Sequence, residues 1–149
     1  MEKEVVISVK GIQTYEGTAP DAVELVTKGR MAQEGESYTL SYQESELTGL
    51  EGTLTTIQVD GDQVTLMRVG EFNSQMVFQE GRRHLSMYNT PYGAMAIGVH
   101  TLHLLADLDG QGGRIEVDYT IEVDHAMAGR NVFRISVKEA ETGLESLKQ

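Results

Sequence analysis

Residues Arg114 to His125 read RIEVDYTIEVDH. Ile115, Val117, Tyr119, Ile121 and Val123 fall on one face, and Glu116, Asp118, Thr120, Glu122 and Asp124 on the other. A two-residue period of this kind belongs to a strand with one buried face, because successive side chains point to opposite sides of a pleated backbone. The expectation is that the first set is buried and the second exposed.

The same period extends outward in both directions. Downstream, Ala128-Gly129-Arg130 reads as a hairpin leading into a strand with Phe133, Ile135 and Val137 inward. The polar tail ETGLESLKQ, residues 141–149, lies beyond the expected barrel domain of residues 1–140. At the start, Val5, Ile7 and Val9 share a face, and Gly11 within that strand suggests a bulge or bend. Val23, Leu25, Thr27, Gly29 and Met31 alternate next, followed after Glu34-Gly35-Glu36 by Tyr38, Leu40 and Tyr42. TLTTIQVDGDQVTLMRVG, from Thr53 to Gly70, reads as two strands joined at Asp60-Gly61-Asp62, a strong hairpin signal. SQMVFQ adds another strand. About ten strands separated by short turns make antiparallel neighbours, and long two-faced strands favour closure over a sandwich. The fold expected is all-β: a single up-and-down antiparallel barrel of about 8–10 strands, wide enough to hold one small ligand unless large side chains fill it.

Between these strands, Gly81 to His103 reads GRRHLSMYNTPYGAMAIGVHTLH. Two strands meet there at a corner formed by Thr90, Pro91, Tyr92 and Gly93, since proline fixes φ and glycine accepts a positive one. Phe78 to Leu102 resembles the YwiB-like family of small bacterial β-barrel proteins, grouped with the calycins (the class of the lipocalins). The likeness includes Val6 to Gly11, SYQESELTGLEGT at Ser41 to Thr53, and the corner residues Tyr88, Thr90, Pro91 and Gly93. It implies a calycin-like barrel and carries no activity and no catalytic residues with it.

Composition bounds the function. The chain has 149 residues, enough for one domain with a full core, and no apolar run near the roughly 18 residues of a membrane span. MEKEVVISVKG at the start does not read as a signal peptide. Twenty-three acidic against 12 basic residues give a net charge of −11, which repels phosphate backbones; neither nucleic acid nor membrane is expected as a partner. Zero cysteines exclude disulfides and fit a reducing compartment, so the expected location is cytoplasmic.

The ligand-binding candidates are Tyr88, Tyr92, Arg68 and His100, near the Thr-Pro-Tyr-Gly corner. In VTLMRVG one register places Arg68 inward with Val64 and Leu66, where it needs an anionic partner from the protein or a ligand; the other places it in solvent. Ala94, Ala96 and Gly98 leave room either for a neighbour's large side chain or for a ligand. His100 and His103 are three apart, so in a regular strand they face opposite sides and cannot share a metal without a bulge. No metal site and no cofactor are expected, and no phosphate loop, G-x-S-x-G, H-E-x-x-H or cysteine nucleophile occurs. These absences assign no catalytic residue and leave enzymatic activity open. Two readings remain: a barrel holding a small apolar or anionic molecule, or a filled barrel serving as a protein-interaction or homodimerising module. The chain is expected as a monomer or a homodimer.

Overall fold

Strands form wherever apolar and polar residues alternate, and the chain is built from ten of them. The computed structural model describes residues 2–14, 21–44, 51–70, 73–90 (87–90 by their backbone), 93–123 and 126–140. In chain order the strands are β1 (Glu2–Thr14), β2 (Asp21–Glu34), β3 (Ser37–Gln43), β4 (Leu54–Asp60), β5 (Gln63–Val69), β6 (Ser74–Gln79), β7 (Arg83–Thr90), β8 (Gly93–Asp109), β9 (Gly112–Val123) and β10 (Ala126–Glu139). No helix occurs among the described residues.

All pairings are antiparallel, and the strand order is β6-β5-β4-β3-β2-β1-β10-β9-β8-β7. The first and last strands of the chain therefore pair in the middle of the sheet, from Val5 opposite Glu139 to Thr14 opposite Arg130. The sheet curls until its end strands, β6 and β7, meet at a seam. Buried Thr101 bridges it: its carbonyl accepts from Gly81 N at 2.9 Å, its own N–H donates to Arg82 O at 3.1 Å, and its hydroxyl accepts from Gln79 N at 3.2 Å. The result is an up-and-down, nearly closed ten-stranded barrel.

Alternate connections fall at opposite ends. Tight turns at Gly35, Gly61, Gly81 and Gly110-Gln111 close one end. The links between β1 and β2, β3 and β4, β5 and β6, β7 and β8, and β9 and β10 all lie at the other, which we call the mouth. The core is densest toward the turn end: Val5, Ile7, Leu40, Ile57, Val64, Phe78, Val99, Ile115, Val117 and Ile135 are almost fully buried. Each such side chain stabilises the fold by about 1.5–3 kcal/mol on leaving water. Phe78, Tyr119 and Phe133 form a ring cluster above them, with centroids 4.7 to 6.1 Å apart.

Four local expectations are corrected. The register runs unbroken through Gly11, so there is no bulge at that glycine. The bulges lie instead between Thr101 and His103 on β8 and between Met127 and Gly129 on β10. The second places Ala128 within β10, so the hairpin expected there is absent; β9 ends at Val123 and β10 begins at Ala126. Glu116, Asp118, Thr120 and Glu122 face outward but are half-buried, because Arg130 and Arg134 of β10 and Arg83, reaching across β8 from β7, lie over three of them. Tyr119, Val117 and Ile115 are buried as the alternation requires, while Ile121 and Val123, nearer the mouth, are half-buried.

Candidate functional site

Packing thins toward the mouth, and a cavity of about 300 Å³ opens there inside the barrel. Its wall is assembled from the mouth-side halves of several strands: Val9 and Gly11 on β1, Val23 and Leu25 on β2, Leu66 and Arg68 on β5, and Asn131 and Phe133 on β10. Gly11 contributes by being small. A Cβ built on it meets nothing within 4 Å, so the space in front of it is open. Gly29 does the reverse: a Cβ there would lie 2.5 Å from Ser41 O and from Ile7 Cδ1, so its bareness lets β2 and β3 curve tightly below the cavity.

The polar part of the wall follows from one row of register. Gly29 pairs with Tyr42, Tyr42 with Thr55, and Thr55 with Arg68, so these four stand side by side across β2, β3, β4 and β5. Glu44, two residues beyond Tyr42 and buried, receives the Thr55 hydroxyl proton in a 2.7 Å hydrogen bond to Oε1. Burial, and then the adjacent Glu44 carboxylate, raise the Tyr42 hydroxyl far above the ordinary phenol range, although Arg68 pulls it the other way. Tyr42 is thus a neutral phenol at any physiological pH. Arg68 Nε is buried with no hydrogen-bond partner. So is Oδ1 of Asn131, a residue only 8% exposed. Buried polar atoms are nearly always paired, so these two are exceptions, enclosed within the wall and not exposed on the cavity surface.

Arg68 and Asn131 stand on opposite sides. In the strand order β5 and β10 are five strands apart in either direction around the ring. Apolar and aromatic side chains lie between them.

The structure brings together only part of the candidate set. Arg68 takes the inward register and lines the cavity. His100 does not: Val99 and Thr101 point inward, so His100 between them faces outward, opposite Thr120 and Arg83. Tyr88 pairs by its backbone with Met95, and its side chain lies outside the described residues, as do Pro91 and Tyr92. Thr90 and Gly93 pair at the mouth end of β7 and β8, Gly93 with φ 119°. Ala94 and Ala96 are exposed, and the bare face of Gly98 is covered by Arg83, whose Nη2 a Cβ would meet at 2.9 Å. Gly98 thereby seats the 2.6 Å Arg83–Glu122 ion pair on the outer wall; it leaves no space inside. The bulge at Leu102 also turns His103 outward, opposite Asp118, so the two histidines share the outer face. No group of three or more candidate metal ligands occurs among the described residues.

Glu44, Thr55, Asn131 and Gly11 are additions to the candidate set. The signal was their parity: Glu44 continues Leu40-Tyr42, Thr55 precedes Ile57-Val59, and Asn131 precedes Phe133-Ile135. Polar residues in phase with a buried face are the mark to look for.

A second depression, of about 430 Å³, lies on the outer wall among His103, Glu116, Asp118, Arg130 and Arg134. It is larger but its groups satisfy one another: Arg130 grips Asp118 through Nε–Oδ1 at 2.9 Å and Nη2–Oδ2 at 2.5 Å, and Arg134 lies 4.0 Å from Glu116.

Fold and interior together define a small up-and-down β-barrel with a partly open, mostly apolar interior. The chain belongs to the family described as "Domain of unknown function (DUF1934)", whose model it matches over residues 7–135. It is similar to the "Uncharacterized beta-barrel protein YwiB" of Bacillus subtilis (strain 168), 25% identical over 122 residues, which span 82% of this chain and 84% of that protein. The crystal structure of the ywiB protein from Bacillus subtilis superposes with a TM-score of 0.82 at 23% identity, covering 94% of each chain. At that identity the superposition speaks for the fold alone.

Proposed function

We propose that the barrel is a carrier or sensor of a small, mostly apolar molecule, held in the cavity with a polar group received by Arg68. The observation that carries this is the space of about 300 Å³ itself, lined mostly by apolar side chains with Arg68 among them. That volume is at the lower end of ordinary small-molecule sites, which are apolar with a few placed polar groups. A filled barrel serving only as an interaction module would have packed this space with side chains, and Gly11 keeps it clear instead.

The test is native mass spectrometry of protein purified from its own host, alongside Gly11→Leu. The leucine projects into the cavity from a backbone that accepts it. A bound mass on the wild type that the variant lacks supports the proposal. Bare protein in both, with no uptake of an apolar fluorescent probe by the wild type, would overturn it.

A further inference from the structure

Carboxylates are spread unevenly along the chain. Between Gln63 and Ala106 only Glu71 and Glu80 are acidic, 2 of the 23 in the sequence. With Arg68, Arg82 and Arg83 that stretch carries a formal charge of +1, and the rest of the chain carries −12. It builds β5, β6, β7 and most of β8, which are neighbours because β6 and β7 meet at the seam. One wall of the barrel is therefore almost free of acid.

Parity gives the outer face of this wall. Val64, Leu66, Met76, Phe78 and Ile97 are buried, so Thr65, Met67, Gln75, Val77 and Ala96 point outward, as does Leu85 opposite Gly98. None of these is charged, and Leu85 is 67% exposed. Arg83 is neutralised by Glu122 at 2.6 Å, and Arg68 points inward. The interrupted ladder between β6 and β7 runs through the middle of the same wall. Strand edges left in this way are ordinarily guarded by charged side chains, and β6, SQMVFQ, has none.

A two-fold contact sets a patch against its own copy, so the patch must be compatible with itself. A surface of one sign is not, and the rest of this chain repels a second copy. An uncharged, partly apolar wall meets the condition. We propose that the outer wall of β5, β6, β7 and β8 is the contact face of a homodimer, with Leu85 near its centre. Four strands about 4.8 Å apart, each six residues long at about 3.3 Å per residue, make a face of about 20 by 20 Å. That is at the small end for a stable interface, so the dimer is reversible and concentration-dependent. The contact leaves the mouth of the barrel open and does not depend on the binding reading above.

Sedimentation equilibrium at protein concentrations up to about 1 mM tests it. The wild type should pass from monomer to dimer, and the dimer should tighten as salt screens the charge of −11 on each copy. Leu85→Glu sets two carboxylates into the contact and should weaken dimerisation at least about tenfold. Ala96→Glu, also outward and exposed, repeats the test from β8. Val26→Glu is the matched control, since Val26 is 68% exposed on β2, across the ring from the seam. The same added charge there should change the dimerisation constant by less than about threefold. Circular dichroism of each variant checks that the barrel is intact. Monomer at every concentration overturns the proposal. So does a dimer that folded Leu85→Glu and Ala96→Glu leave intact, one that Val26→Glu breaks equally, or one that weakens as salt is added.

Discussion

The hydroxyl of Thr55 donates to Glu44 Oε1 across 2.7 Å, and both residues are buried. The bond holds a carboxylate inside the barrel beside the Tyr42 phenol and in the field that Arg68 also feels. Removing the donor without changing the side-chain shape isolates its worth. Thr55→Val should destabilise the protein by about 1–3 kcal/mol, the cost of leaving a buried charged acceptor short of a partner. Urea unfolding would measure it; a loss below a few tenths would mean that water reaches Glu44 freely.

The two faces of β9 should respond very differently to charge. Val117 is 1% exposed, and Val117→Asp should cost on the order of 3 kcal/mol or more. Glu116→Lys on the outer face gives up a 4.0 Å ion pair between a half-buried Glu116 and an exposed Arg134, and should cost less than about 1 kcal/mol. Thermal unfolding of the pair would expose a wrong register at once, through equal effects.

Two glycines provide a matched contrast. Gly29→Ala drives a methyl against the Ser41 carbonyl oxygen and should cost about 1–3 kcal/mol by forcing β2 and β3 apart. Gly11→Ala adds the same methyl into open space and should leave the unfolding midpoint within about 0.5 kcal/mol of wild type.

Acid should weaken one outer contact in a defined direction. Arg130, through its hydrogen bonds and then its charge, holds the Asp118 carboxyl below the usual carboxylate range. A depressed folded-state value means that the stabilisation is complete above the unfolded value of about 3.9 and is lost as pH falls through the folded one. Asp118→Asn should therefore be less stable than wild type at pH 7, by about 0.5 kcal/mol because Arg130 is solvent-screened. The two stability curves should converge as the pH falls through the depressed folded-state value. Parallel curves across the acid range would refute the linkage.

The strands and the hairpin at Asp60-Gly61-Asp62 were legible because both signals are local: a period of two, and a backbone that only certain residues accept. The inward option of Arg68 was legible for the same reason. His100 was not placed correctly, because the small residues beside it suggested space, and which face holds that space depends on the strand's partners. The bulge at Leu102 is a tertiary matter too. Thr101 is held by Gly81, Arg82 and Gln79 across the seam, and β8 must insert a residue to regain step with β9 beyond it. No property of Leu102 itself announces this. Asn131 and Glu44 were readable by parity, but a polar residue within an apolar phase is easily taken for the end of a strand.

Because β1 and β10 pair with each other at the centre of the strand order, the ladder is continuous through the first and last strands and interrupted between β6 and β7. A chain emerging from a ribosome would first lay down β1 to β6 as one meander. It would then lay down β7 to β9 as a second, joined to the first by the turn at Gly81 and by side-chain and backbone contacts across the seam, those of Thr101, of Leu104 N with Glu80 and of His84 with Gln79. Only the last strand zips the two halves together, over contacts separated by more than a hundred residues, the kind that delays folding. Trimming β10, which in many proteins would fray an edge, would here open a gap between β1 and β9.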